Sequence, residues 1–437
     1  MRIFAFTAGA ANMYCGSCLR DNALAAAMKA DGHDVILMPV YTPTLSDEEN
    51  VSDAHVFFGG ISVYLQQYSS FFRKTPWFLD KLWDSQLALK AASRRSIPVN
   101  PRFLGEMTVA MLEGETGPQK KEFEKMAHYL QHLDNPDLST LPNSLVIAMA
   151  KPIKRVTKKP VYVTLQGEDL FLEGLQEPYR SRSLALLRDQ IGDADGYIAV
   201  SEFCGRLMGS YLNIPKDRLH VVPLGVNTSD LTMRKPQIGV PFTIGYFARI
   251  TPEKSLHQLC EAYRWMRQEG GLPPSRLEAA GYIAPEQKEY LEIIQKQMKD
   301  WGLDGEFHYH GPLDREHKVS FLRRLDVLSV PSLYAETKGL YLLEAMACGV
   351  PVVQPRHGSF PEMIEKTGGG LLAEADNPVS FGQAIMRLYR DPALREELSQ
   401  RAYNGVREHY TVQLMAQRAA AVYRGAGQRS AMPVSLS

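Results

Sequence analysis

The chain has 437 residues, 45% of them hydrophobic and 22% charged, which excludes a disordered or collagen-like protein and is enough for two or three domains. Lys plus Arg and Asp plus Glu number 49 each, so no basic excess points to nucleic acid as a partner. Five cysteines are too few, and odd in number, for a disulfide framework, and a reducing cytoplasm is the expected location.

The opening MRIFAFTAGAA has the look of a clipped signal peptide, but a turn-rich segment and a helical pattern follow at once, so a buried first strand is expected. From there short apolar strands alternate with helical patterns almost to the end, as parallel sheets with crossover helices require. In the first half the strands fall at 2–6, 34–40, 160–166, 196–201 and 219–225. In the second half they fall at 242–249, 276–283, 306–311, 326–332 and 350–356.

Between the two sets, MRKPQIGVP (233–241) is rich in Gly and Pro and reads as a linker. The expectation is therefore two α/β domains, 1–235 and 236–410. Residues 42–135 form a helical elaboration of the first, including FLDKLWDSQLALKAA and QKKEFEKMAHYLQHL, with FFGGISVYL as a loop. A helix over 411–425 and a flexible tail over 426–437 close the chain. No run reaches about 18 apolar residues, so no spanning helix is expected. Peripheral contact with the inner face of a membrane stays open.

AETKGLYLLEAMACGVPVVQP (335–355) carries the most chemistry. Leu340, Leu343 and Ala347 share one helical face, so a helix opens near Gly339, and Gly349 with Pro351 closes it. Glu336 precedes the helix and Glu344 lies within it. In an open α/β sheet this chain reversal sits at the carboxyl ends of the strands, where ligands bind. A carboxylate accepts from two vicinal hydroxyls at once, so one Glu suits a ribose and the other a hexose. Solvated charges complementing the helix dipole would give the same spacing.

The pattern E-x7-E followed by AMACGVPVV resembles that of the retaining family-4 glycosyltransferases, together with HGSFPEMI (357–364) and GGGLLAEADNP (368–378). The resemblance implies the GT-B architecture, two Rossmann-like domains facing across a cleft, with the C-terminal helix packed back on the first. It places Glu336 by the donor sugar and Glu344 on the nucleotide ribose, with Thr337, Gly339 and Leu340 around the donor. Lys338 departs from it, standing where the family usually has an aromatic residue. It adds a cation within reach of a phosphate or an acidic sugar.

Arg249, after a strand, and Lys254, at the next helix opening, suit a diphosphate, although two exposed cations would share that spacing. The segment resembles the family's G-R-x-x-x-E-K-G, with Ala248 and Ser255 replacing its glycines, which makes Arg249 and Lys254 the implied phosphate ligands. In the first domain Gly16 matches the second glycine of the family's Gly-Gly loop, with Cys15 in place of the first. Gln166 stands where similar enzymes often carry a catalytic His; it can contact donor sugar or acceptor but cannot transfer a proton. Glu168 and Asp169 suit either an acceptor hydroxyl or helix capping.

Three other signals have bland explanations. Cys15 and Cys18 form C-x-x-C at a helix start, but redox domains of that kind are far shorter. Asp193-Ala-Asp195 spells D-x-D yet immediately precedes a strand and reads as a turn. The pairs His128/His132 and His308/His310 lack a metal-site context.

The expected protein is a cytoplasmic, metal-independent, retaining glycosyltransferase of glycan biosynthesis. Its partners would be a nucleotide-diphosphate sugar as co-substrate, with no other cofactor, and a glycan, lipid-linked or small-molecule acceptor. A nucleotide-sugar epimerase or a non-catalytic nucleotide-sugar-binding protein on the same fold is the alternative.

Overall fold

The computed structural model describes residues 1–9, 14–58, 101–235 and 240–430. It divides into two compact units, Met1–Pro223 with Ala416–Ser437, and Leu224–Met415. The boundary precedes the expected linker because the chain from Leu224 already belongs to the second unit's packing. Val226 bridges Thr411, and a side chain on Gly225 would strike the Thr411 carbonyl.

Among the described residues the first unit has six parallel strands: β1 Arg2–Thr7, β2 Asp34–Pro39, β3 Leu138–Leu141, β4 Val161–Leu165, β5 Gly196–Ala199 and β6 Leu219–Val221. Their order is β2-β1-β3-β4-β5-β6. Residues of β4 are buried throughout, as expected for a strand covered on both faces. β3 is an addition to the expected set: LSTL is only four residues long, and Ser139 and Thr140 conceal it.

The second unit contains β7 Thr243–Phe247, β8 Arg276–Ala280, β9 Phe307–Tyr309, β10 Val327–Ser329, β11 Val352–Pro355 and β12 Gly370–Ala373. Their order is β12-β11-β10-β7-β8-β9. Numbered in chain order within the unit, this is 6-5-4-1-2-3, the dinucleotide-fold order, and the direction of winding reverses between β7 and β10. Edge strand β12, inside GGGLLAEADNP, is the second one the periodicity did not reveal.

Helices follow their caps. Asp314 Oδ1 accepts from His317 N at 2.9 Å to open Arg315–Arg323, and Asn377 and Asp391 do the same for the two helices after β12. In the expected elaboration, helices Pro101–Glu113 and Lys120–Gln131 are present. The pattern at 78–92 and most of FFGGISVYL lie outside the described residues. The last helix runs Val412–Ser430, five residues past the expected end, and the rest of the expected tail lies outside the description. From Ala416 it belongs to the first unit, where its Tyr423 ring meets Tyr162 edge-on at 5.4 Å. Among the described residues no helix is long and apolar enough to cross a membrane.

Candidate functional site

Two loops of the second unit leave adjacent strands at the point where the winding reverses. The loop after β7 carries Arg249 and Lys254; the loop after β10 carries Glu336. Their backbones are sewn together, since Leu333 N donates to Glu253 O at 3.0 Å. Tyr246, buried in β7, donates its hydroxyl to Arg249 O at 3.0 Å and Lys254 O at 3.3 Å, fixing the first loop from beneath.

These constraints bring Lys254 Nζ to 2.6 Å from Glu336 Oε2, both side chains buried. Tyr341 donates to the same oxygen at 2.8 Å, and Lys254 lies over the rings of Tyr334 and Tyr341 at 4.9 and 5.3 Å. Burial pushes the Lys254 ammonium below its ordinary value; Glu336 opposes this, while Arg249 and Lys338 add to it. Three cations, Lys254, Arg249 and Lys338, thus act at this centre around the single carboxylate paired with Lys254. Arg249 is exposed, its guanidinium 3.9 Å from Glu253.

Thr337 and Gly339 are buried, and Lys338 and Leu340 are half-buried. Gly339, at φ 116°, caps helix Leu340–Ala347 in a conformation that other residues rarely adopt. Ser359 clasps this turn, its amide donating to Glu336 O at 2.7 Å and its hydroxyl to Lys338 O at 2.6 Å.

Glu344 belongs to a second ionic cluster, separate from the Lys254–Glu336 pair. Lys318 Nζ lies 2.5 Å and Arg315 Nη1 3.7 Å from its Oε1. Sequence reasoning missed Lys318, Arg315 and the two tyrosines. A signal for Lys318 existed: it shares a helical stripe with Phe321, Leu322 and Leu325, where a charge demands a buried partner.

Of the first-unit candidates, Gly16 and Gln166 come after β1 and β4, whereas Asp193 and Asp195 precede β5. Gly16 is the first residue of helix Gly16–Ala30, behind Cys15 at its N-cap. Gln166 follows β4, donating Nε2 to Pro142 O at 2.8 Å. Glu168 is a structural brace, accepting from Ser144 N and Gln166 N at 3.0 Å each. Asp193 and Asp195 lie 3.2 and 2.9 Å from Lys151 and Lys154, and Asp195 also accepts from Val161 N. In the second unit, His308 and His310 both flank Glu278. A hydrogen bond with Cys15, ahead of burial, raises the Cys18 pKa.

Residues 230–405 match the family model for glycosyl transferases group 1, and 121–230 match that for glycosyltransferase family 4. The chain belongs to the family-4-like glycosyltransferases, a family of enzymes, and its two parallel sheets have the GT-B architecture. It is 29% identical over 204 residues to a D-inositol 3-phosphate glycosyltransferase of Arthrobacter, 44% of this chain and 47% of that protein. The namesake from Saccharomonospora viridis is 35% identical over 177 residues, 39% of this chain and 40% of that one. The matches thus span about half the length of these curated relatives or less.

Sucrose-phosphate synthase from Thermosynechococcus elongatus superposes with TM-score 0.72 at 17% identity, covering 98% of this chain and 99% of that one. Anabaena HepE, solved with UDP and glucose, gives 0.68 at 17% identity, covering 97% and 100%.

Proposed function

We propose that this chain transfers a hexose-type sugar, with retention, from a nucleotide-diphosphate sugar to a hydroxyl-bearing acceptor without a metal. The observation that carries the reading is the buried Lys254–Glu336 pair at the winding reversal, with Arg249 and Lys338 close enough to act on its charge. Breaking the bond to the sugar leaves negative charge on the departing diphosphate. Fixed cations in a dry site stabilise that charge. Glu336 keeps Lys254 ionised until the donor arrives and presents a carboxylate to sugar hydroxyls.

Glu344 suits the ribose. Among the described residues both cations approach its Oε1, and a carboxylate retains acceptor sites on Oε2 for a diol. Retention, by family resemblance, follows from attack on the face the leaving phosphate vacates, the phosphate assisting. Gly16 and Gln166 serve the donor or acceptor from the first unit, and the lysines beside Asp193 and Asp195 favour a structural role for D-x-D. The UDP in HepE supports a nucleotide sugar as partner, and the inositol phosphate relatives support a small polyol acceptor.

A thermal-shift screen against UDP, GDP and ADP sugars tests this reading. One donor should raise the melting temperature, the rise should shrink in Glu344→Ala, and transfer should persist in a chelator. No shift with any donor, or activity abolished by the chelator, would overturn it.

A further inference from the structure

Helix Arg315–Arg323 has two occupied sides. Lys318, Phe321 and Leu322 turn inward, to Glu344 and the core. On another side Arg315, Glu316 and Arg323, with Arg324 just beyond, line a cavity of about 680 Å³ whose lining also includes Asp230 and Lys235. All of these residues belong to the second unit.

The charges in this hollow are unequal in their commitments. Arg315 is fully engaged, donating Nε and Nη2 to the two Asp230 oxygens at 2.8 and 2.6 Å and Nη2 to Asn227 O at 2.9 Å. Arg323 has its Nε buried with no hydrogen-bond partner. Lys235 and Arg324 are exposed and make no ion pair among the described residues. With Asp230 neutralised, three cations share one hollow with Glu316 alone. Like charges so gathered repel, and a multivalent anion relieves them best. Arginine forks match phosphate oxygens, and the volume falls in the range of small-ligand sites.

We propose that this groove is a second anion site, separate from the Lys254–Glu336 centre, for a soluble small molecule bearing a di- or polyphosphate. It extends beyond the donor reading and does not depend on it. The probe is inorganic pyrophosphate, titrated calorimetrically into the full chain, into Arg323→Gln/Arg324→Gln, into Lys235→Gln and into Lys254→Gln.

The double variant should bind groove pyrophosphate about tenfold more weakly, as loss of two charge-assisted contacts implies, Lys235→Gln less so, and Lys254→Gln should retain it. Thermal melts confirm folding, and Lys235→Gln gives an independent reading if the double variant is unstable. Binding that depends on Lys254 alone, or no binding at millimolar pyrophosphate, overturns the proposal while leaving the donor reading intact. Groove-dependent attachment to phosphatidic-acid vesicles without pyrophosphate binding overturns the soluble ligand.

Discussion

Both units bury ion pairs, but the pairs differ in reach. In the first unit Arg20 and Asp21 are sequence neighbours, 2.9 Å apart on one helix, so their attraction holds no two elements together. In the second, Lys254–Glu336 joins residues 82 apart and Lys318–Glu344 joins residues 26 apart. These long-range pairs pin the loops after β7 and β10, and the two helices flanking β10. The first unit braces its loops with a carboxylate on backbone amides, through Glu168. Buried charge therefore does different work in the two sheets: in one, side-chain ion pairs join distant elements, and in the other the long-range tie is a carboxylate on backbone amides.

Lys254→Ala should break this contrast most severely. Turnover should fall by about 10²–10³, the loss typical when a preorganised donor to a developing anion is removed. Stability should also fall, by about 3–5 kcal/mol, because Glu336 is left buried and unpaired. Near-normal turnover in single-turnover assays would show that the pair is scaffolding only.

The second effect belongs to Asp21. Burial, against the pull of Arg20, pushes its carboxyl up to about 6 from an ordinary 3.8. An acid raised on folding favours the native state most below its unfolded value and loses that contribution as pH climbs through about 6. Urea unfolding should show wild type losing about 2–3 kcal/mol relative to Asp21→Asn between about pH 4 and 7. A pH-independent difference between the two proteins would refute the shift.

A smaller change is expected at Glu344. In Glu344→Ala nucleotide-sugar affinity should drop about tenfold by calorimetry. Adding Lys318→Met should restore lost stability without restoring affinity, and recovery of both would count against a ribose contact. Least disruptive is Glu168→Gln, which removes one charged acceptor from two amides and should cost about 1 kcal/mol in unfolding, with donor affinity unchanged. Weakened donor binding there would erase the division between brace and binding centre.

Much of this was legible in the chain because its elements have short, regular sequence patterns. Ten of the strands are apolar runs, and the turn Glu336–Gly339 announces itself by a glycine before a helical face. β3 escaped because Ser139 and Thr140 interrupt its apolar run, and β12 because only Leu371, Leu372 and Ala373 are apolar between three glycines and Glu374. The domain boundary slipped from 223 to 235 because Gly and Pro mark where a chain bends, not where packing changes hands. At the site, Glu336 and Lys254 were nameable singly, but their contact depends on β7 lying beside β10, a fact of sheet order invisible to spacing. For Glu344 the expectation named a nucleotide ribose and no protein partner. Its actual partners come from the helix preceding β10, whose inward lysine only a stripe-by-stripe reading reveals.

Ser255 follows Lys254 at φ 58°, a left-handed backbone that costs a non-glycine residue on the order of 1 kcal/mol. Fully buried, it is held there by its hydroxyl on Pro252 O at 3.0 Å and its amide near Thr251 O and Pro252 O. This serine makes the bend stiff, while Glu336 and two tyrosine rings hold the ammonium at the far end of its flexible stem. The cation is aimed in advance like a fixed electrode, and any molecule that meets it must do the adjusting.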